Sequence, residues 1–222
     1  SIISQSGTVT AAIAEWSQNE GLGISAAVNL GNQTDLCESD LIEYFAEDEH
    51  TRVIGLYLEG VKNGRRFLET VKRVVPQKPI VVLKSGRTPG GKAATASHTG
   101  SLAGSDEVFT AACRQYGLAR ADNLDSFYDS LKALGTMRLP KGNRLLMITT
   151  SGGSGALATD TAERLGLVVP RLPEALVERL KQLDLPPLAA LKNPLDLANM
   201  DAAVWDRVVS AVSEFDVADT TL

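Results

Sequence analysis

Short aliphatic and β-branched runs recur at residues 2–4, 24–30, 53–58, 80–83, 118–120, 145–149 and 167–169, each too apolar to keep one face in water. Continuous apolar strands belong in a sheet covered on both sides. Between them, helical periods run over residues 8–20, 40–47, 64–74, 105–116, 124–136, 155–165, 173–183 and 201–213. The ends of these stretches carry helix punctuation, with Pro173 opening one and Gly21, Gly117 and Gly166 closing others. Strands alternating with helices predict an α/β fold with parallel sheets covered by helices.

The pattern breaks at Arg138-Leu139-Pro140-Lys141-Gly142-Asn143, which predicts two domains, residues 1–139 and 140–222. An offset of 145 positions superposes Ile3 on Ile148, Ser6-Gly7 on Ser151-Gly152, Ala11 on Ala156 and Gly21-Leu22 on Gly166-Leu167. Such agreement fits a duplication or the shared grammar of βαβ units equally well. The chain opens on Ser1-Ile2-Ile3 without Met and ends on Thr220-Thr221-Leu222, so the expectation is an excerpt whose second domain is truncated at its C-terminus.

Composition narrows the function classes. At 222 residues, 44% hydrophobic and 22% charged, the chain has the make-up of a globular protein and not of disorder. A net charge of −5 argues against nucleic-acid or anionic-membrane partners, so any bound anion must be held by local geometry. Cys37 and Cys113 form no metal or disulfide pattern, and no apolar run is long enough to span a bilayer; the expected location is the cytoplasm.

Two turns invite chemistry. Ser4-Gln5-Ser6-Gly7-Thr8 and Thr150-Ser151-Gly152-Gly153-Ser154-Gly155 each join a predicted strand to a predicted helix. The unpaired N–H groups of a first helical turn carry roughly half a positive charge. Ser6, Gly7, Thr8 and Ser151, Gly152, Gly153, Ser154 therefore suit a phosphate-sized anion. Ser and Thr also cap helices with nothing bound, and both readings stand at this level. Neither turn is a Walker A loop, a GxGxxG fingerprint or a GxSxG elbow, which weighs against NTPase, dinucleotide and esterase chemistry.

Of the two histidines, His50 follows a charged helix end and reads as solvated. His98 lies in residues 84–105, a cationic stretch of small residues without core periodicity that reads as a long loop, a kind usually functional or disordered. A neutral imidazole is a nucleophile near pH 7, and Lys84, Arg87 and Lys92 would stabilise an incoming phosphoryl group. A phosphohistidine is one reading. A mobile basic loop whose His caps a helix or bonds the backbone is the other. A carrier His needs a carboxylate on its second ring nitrogen, and Glu59, closing the run 53–58 before Gly60, is the candidate, although it reads equally well as the first polar residue after a strand.

Ser4-Gln5-Ser6-Gly7, Tyr57-Leu58-Glu59-Gly60, Lys84-Ser85-Gly86-Arg87, the block Ala96-Ser97-His98-Thr99-Gly100-Ser101-Leu102-Ala103-Gly104-Ser105 and Asn193-Pro194-Leu195-Asp196 together resemble the NDP-forming acyl-CoA synthetases, the ADP-forming acetyl-CoA synthetase relatives of succinyl-CoA synthetase. The Ser-His-Thr-Gly-Ser block is the most specific part. The resemblance implies two flavodoxin-like domains, preceded by an N-terminal CoA-binding Rossmann domain. It also implies an ATP-grasp domain in the same polypeptide or on a β subunit, within a homo- or hetero-oligomer.

By the same resemblance His98 is phosphorylated, Glu59 steadies it, and the two turns hold the phosphate. The implied reversible chemistry runs from acyl-CoA and phosphate through acyl phosphate and phosphohistidine to ATP. CoA, ATP or ADP and Mg2+ belong to the full enzyme, while this segment alone would bind only phosphate or sulfate and would not turn over. The second turn departs from the many relatives that carry an Asn or a Gly-Gly-Pro there. Some relatives are fused to a lysine acetyltransferase domain and lack the histidine, so a CoA-ester- or anion-sensing regulatory module is the alternative, with flavin binding a third. Asn193-Pro194-Leu195-Asp196 reads mainly as a turn before the last helix, and Cys37 and Cys113 as structural or incidental.

Overall fold

The structure, a computed structural model, describes residues 1–99, 104–198 and 201–222, and the side chains at 98 and 99 lie outside the described residues. The chain separates into two units, Ser1–Arg138 and Leu139–Leu222.

In the first unit, β1 (Ile2–Ser4), β2 (Ala27–Asn29), β3 (Ile54–Leu58), β4 (Ile80–Lys84) and β5 (Ala119–Ala121) form a parallel sheet in the order β2-β1-β3-β4-β5. Six helices accompany them among the described residues: α1 (Gly7–Asn19), α2 (Glu38–Glu47), α3 (Gly64–Val74), α4 (Pro89–Thr99), α5 (Asp106–Tyr116) and α6 (Leu124–Thr136). The fold is α/β with the flavodoxin-like strand order.

Both sheet faces are covered, which explains the unbroken apolar runs. One face packs Ile3, Leu56 and Val82 against Ile42 and Phe45 of α2, Phe67 and Val71 of α3 and Cys113 of α5. The other packs Ile2, Val81 and Leu83 against Ile13 of α1 and Phe127 and Leu131 of α6. Gly55, in the central strand β3, makes the second packing possible. A Cβ there would stand 2.8 Å from Ile2 Cδ1 and 3.1 Å from Phe127 Cζ.

In the second unit, β6 (Leu145–Leu146) pairs with β9 (Thr220–Thr221), and β7 (Ile148–Thr149) with β8 (Leu195–Asp196), all parallel. Helices α7 (Gly152–Arg164), α8 (Glu174–Lys181) and α9 (Ala202–Ser213) complete it. The expected strand 145–149 divides at Met147, whose N–H donates to Asn193 Oδ1 (3.0 Å), while Asn193 Nδ2 donates to Leu145 O (2.8 Å) and Pro170 O (3.1 Å). The expected strand 167–169 shrinks to one bridge between Arg144 and Val168. Pro170 has no N–H with which to extend that pairing.

The expected loop over 84–105 is also corrected, since Pro89–Thr99 is helical. Thr88 Oγ1 accepts the Gly91 N–H (3.1 Å) and Thr88 O accepts the Lys92 N–H (2.8 Å), so Thr88 caps the helix and Pro89 takes the first position, where a missing N–H costs nothing. Among the described residues no helix is long and apolar enough to cross a membrane.

Gly55→Val is expected to overpack the sheet against α6 and cost about 1–3 kcal/mol, read as a lower urea midpoint; an unchanged midpoint would show the helix is free to shift. Asp219 accepts from the Arg144 side chain (3.0 and 3.1 Å) and backbone (2.9 Å), and these bonds hold its carboxyl below the usual range. The pairing therefore contributes stability above about pH 4, and loses it as the pH falls through the lowered folded-state value. Asp219→Asn should flatten the acid limb of the melting-temperature profile.

Candidate functional site

The first strand passes into its helix through a hydroxyl-braced corner. Ser6 caps α1 in an extended conformation, its Oγ accepting the Val9 N–H (3.4 Å), while Ser4 Oγ donates to Ser6 O (2.8 Å) and accepts the Ser6 N–H (3.1 Å). The second corner repeats this. Ser151 Oγ accepts the Ser154 N–H (3.4 Å), Thr149 Oγ1 donates to Ser151 O (3.1 Å) and accepts the Ser151 N–H (3.1 Å). Both helices run 13 residues and end before left-handed glycines, Gly21 (φ 66°) and Gly166 (φ 80°). The 145-residue offset is thus a repeat of hydrogen bonds as well as of letters.

The corners differ in what faces them. A Cβ on Gly7 would lie 3.1 Å from the Asn29 amide nitrogen, and one on Gly152 would lie 3.2 Å from Asp196 Oδ2. A carboxylate beside a helix start partly neutralises the positive end, so the first corner is the stronger place for an anion.

Sheet order adds a second feature to the first corner. Strands β2 and β3 flank β1, so the connections leaving β1 and β3 diverge and open a crevice at their carboxyl ends, where α/β folds place ligands. Glu59 lies there, 8% exposed. Gln5 pins it: Gln5 Oε1 accepts the Glu59 N–H (2.6 Å) and the Gly60 N–H (3.1 Å), and Gln5 Nε2 donates to Gly60 O (2.9 Å). Glu59 Oε2 is buried with no hydrogen-bond partner among the described residues. Leu58 pairs with Lys84, so the residues that follow, Glu59 and Ser85, emerge side by side, and Ser85 Oγ is likewise buried and unpartnered among the described residues. Orphaned buried oxygens call for a partner.

Two of the cations expected near His98 are engaged elsewhere. Arg87 pairs with Asp122 (2.6 Å) and Asp106 (3.6 Å). Lys84 is 3% exposed, with its Nζ donating to Ser85 O (2.9 Å), and burial above all lowers its pKa. Lys92 sits in the first turns of α4. The His98 backbone belongs to α4, and its side chain lies outside the described residues, as do residues 100–103 of the Ser-His-Thr-Gly-Ser block. His50 is exposed, Cys113 buried and Cys37 half-buried. The structure therefore brings Glu59 together with the Ser6 corner, while Ser151, Gly152, Gly153 and Ser154 belong to the other unit. The Gln5 clamp and the Asn193 stitch have no local signature, because each joins residues distant in sequence.

Comparison with known proteins gives concordant matches. The family model of the succinyl-CoA ligase like flavodoxin domain matches residues 1–134. The α subunit of ADP-forming acetate–CoA ligase I of Pyrococcus furiosus is 45% identical over 204 residues, 90% of this chain and 43% of the relative. An ADP-forming 4-hydroxybutyrate–CoA ligase of Nitrosopumilus maritimus is 34% identical, covering 94% and 30%. Among solved structures, the dinucleotide forming acetyl-coenzyme A synthetase 1 of Ca. Korarchaeum cryptofilum, in complex with phosphate and ADP, superposes with a TM-score of 0.92 at 37% identity. That match covers 99% of this chain and 48% of that one, so the chain spans less than half the length of these relatives.

Gln5→Ala removes all three clamp bonds and leaves the Gly60 carbonyl and two N–H groups without their partner. A loss of roughly 1–3 kcal/mol is expected, with amide exchange at Glu59 and Gly60 at least about tenfold faster. Unchanged exchange at both amides would show that the strand end is held by other means.

Proposed function

Because the chain belongs to the succinyl-CoA ligase like flavodoxin domain family, we propose that it is the phosphoryl-carrying part of an NDP-forming acyl-CoA synthetase, with His98 the phosphorylated residue. The observation that supports this most is the buried Glu59 carboxylate at the switch point, whose backbone Gln5 holds and whose Oε2 has no partner among the described residues. An imidazole N–H is the partner that such an oxygen fits. It would fix the ring tautomer and stabilise the positive charge that grows when the other nitrogen is phosphorylated.

In the proposed step the free nitrogen of His98 attacks the phosphorus of an acyl phosphate. The N–P bond forms, the P–O bond to the acyl group breaks, and the carboxylate leaves with the electron pair. The terminal oxygen of a nucleoside diphosphate then takes the phosphoryl group and frees the imidazole. Ser6, Gly7 and Thr8 are the proposed helix-start donors to the phosphoryl oxygens, and Ser151, Gly152, Gly153 and Ser154 form a second proposed phosphate-binding turn, in the other unit. We assign CoA to an N-terminal Rossmann domain, and ATP or ADP with Mg2+ to an ATP-grasp domain or β subunit, in an oligomeric assembly. Magnesium supplies charge neutralisation to the nucleotide there.

Incubating the complete protein with γ-labelled ATP and Mg2+ should leave acid-labile label that His98→Ala abolishes. Glu59→Gln should retain the site but slow labelling by roughly 100-fold. Full labelling of the His98→Ala protein, or none in a folded wild type, would overturn the assignment.

A further inference from the structure

The buried hydroxyl of Ser85 takes no part in the chemistry above. Its backbone is committed on both sides: the Ser85 N–H donates to Leu58 O (3.0 Å), and Lys84 Nζ donates to Ser85 O (2.9 Å). Gly86 then turns the chain at φ 69°, in the left-handed region that favours glycine, so the strand ends there. Glu59, on the neighbouring strand end, is held as firmly, because Gln5 Oε1 accepts its N–H (2.6 Å). Two pinned backbones leave two side chains to turn. Each carries a buried oxygen without a partner among the described residues, Glu59 Oε2 and Ser85 Oγ.

The register puts these side chains within reach of one another. Leu58 pairs with Lys84, so Glu59 and Ser85 follow at one strand spacing, about 4.8 Å, and alternation turns both away from the face that carries α3 and α5. A serine hydroxyl turns about a single torsion and a glutamate carboxylate about three, so such a gap closes without moving backbone. Their chemistry is complementary. A hydroxyl has one proton to donate, whereas an ionised carboxylate only accepts, at about four lone-pair sites. The imidazole N–H proposed above fills one of these and leaves room for a second donor. A buried carboxylate with a single hydrogen bond is costly, and a donor from the next strand lowers that cost while fixing which way the oxygens face.

We propose that Ser85 is a positioning residue: its hydroxyl donates to the Glu59 carboxylate, keeping it charged and turned toward the His98 ring. Ser85 acts through Glu59 alone and touches neither the ring nor the phosphoryl group. The purpose of the contact rests on the phosphohistidine reading, while the contact itself does not.

Two measurements on the complete protein test it. In the reaction with γ-labelled ATP and Mg2+, Ser85→Ala should slow labelling about tenfold or more, the loss of one hydrogen bond to a charged group. Ser85→Thr, which keeps the hydroxyl, should bring the rate back to within about threefold of wild type, and in a Glu59→Gln background Ser85→Ala should cost less than about twofold. In 13C NMR of protein carrying labelled glutamate, the carboxyl resonance that Glu59→Gln removes should move on Ser85→Ala and keep its place on Ser85→Thr. Full-rate labelling of Ser85→Ala, no recovery with Ser85→Thr, an undiminished effect in the Glu59→Gln background, or a carboxyl resonance indifferent to Ser85→Ala would each overturn the inference. A wild type without label whose resonance still responds to Ser85→Ala would overturn the phosphohistidine reading and support the contact.

Discussion

Gln5 joins two strand ends that lie 54 and 55 residues apart in the chain, using both halves of its carboxamide on the backbone of Glu59 and Gly60. The sheet order makes this contact available. Because β1 sits between β2 and β3, the residue after Ser4 meets the residues after Leu58 across the crevice where the connections part. A buried carboxylate is tolerable only if its backbone is held in place and its oxygens are directed to partners. The clamp supplies the first condition. Glu59 and Gly60 are held by it directly, and Ser85 is set beside them by its own N–H, which donates to Leu58 O (3.0 Å).

The strands β1, β3 and β4 are legible in the sequence because both sheet faces are buried, and the helices because their apolar faces meet that sheet. What escapes the sequence escapes for identifiable reasons. The α4 helix is masked by Gly90 and Gly91 and by a run of small residues without an apolar stripe, although Thr88-Pro89 is a cap and first-turn signal in plain view. Strands β8 and β9 are two residues each, too short for any period. The stretch around Val168 has strand-like letters but meets a proline before a ladder can form.

The candidate site divides in the same way. Glu59 is visible as the first polar residue after an apolar strand, but that position alone suits a strand end as well as a site carboxylate. Only the structure shows its buried, unpartnered oxygen among the described residues. Lys84 and Arg87 look from composition like phosphate ligands, yet strand alternation buries the first against Phe109, and Asp122 and Asp106 hold the second. Charge in a loop-like stretch is thus a poor guide to where that charge points. The role proposed for His98 rests on the motif around it and on family membership, since nothing in its spacing separates a carrier from a capping residue.

Magnitudes bear on why a covalent carrier suits this scaffold. A helix start contributes typically 0.3–1 kcal/mol toward an anion, and about 2 in favourable partly buried geometry. Even the upper figure is a factor of about thirty in affinity, on a chain with a net charge of −5. The second corner is weaker still, because the Asp196 carboxylate lies against Gly152 where the first corner has the neutral Asn29 amide. Neither corner by itself would retain a phosphoryl group in transit. In the proposed mechanism a bond to a ring nitrogen removes that demand, and a helix start then needs only to orient the oxygens and lower the barrier to transfer, a task for which one or two kcal/mol is enough to matter.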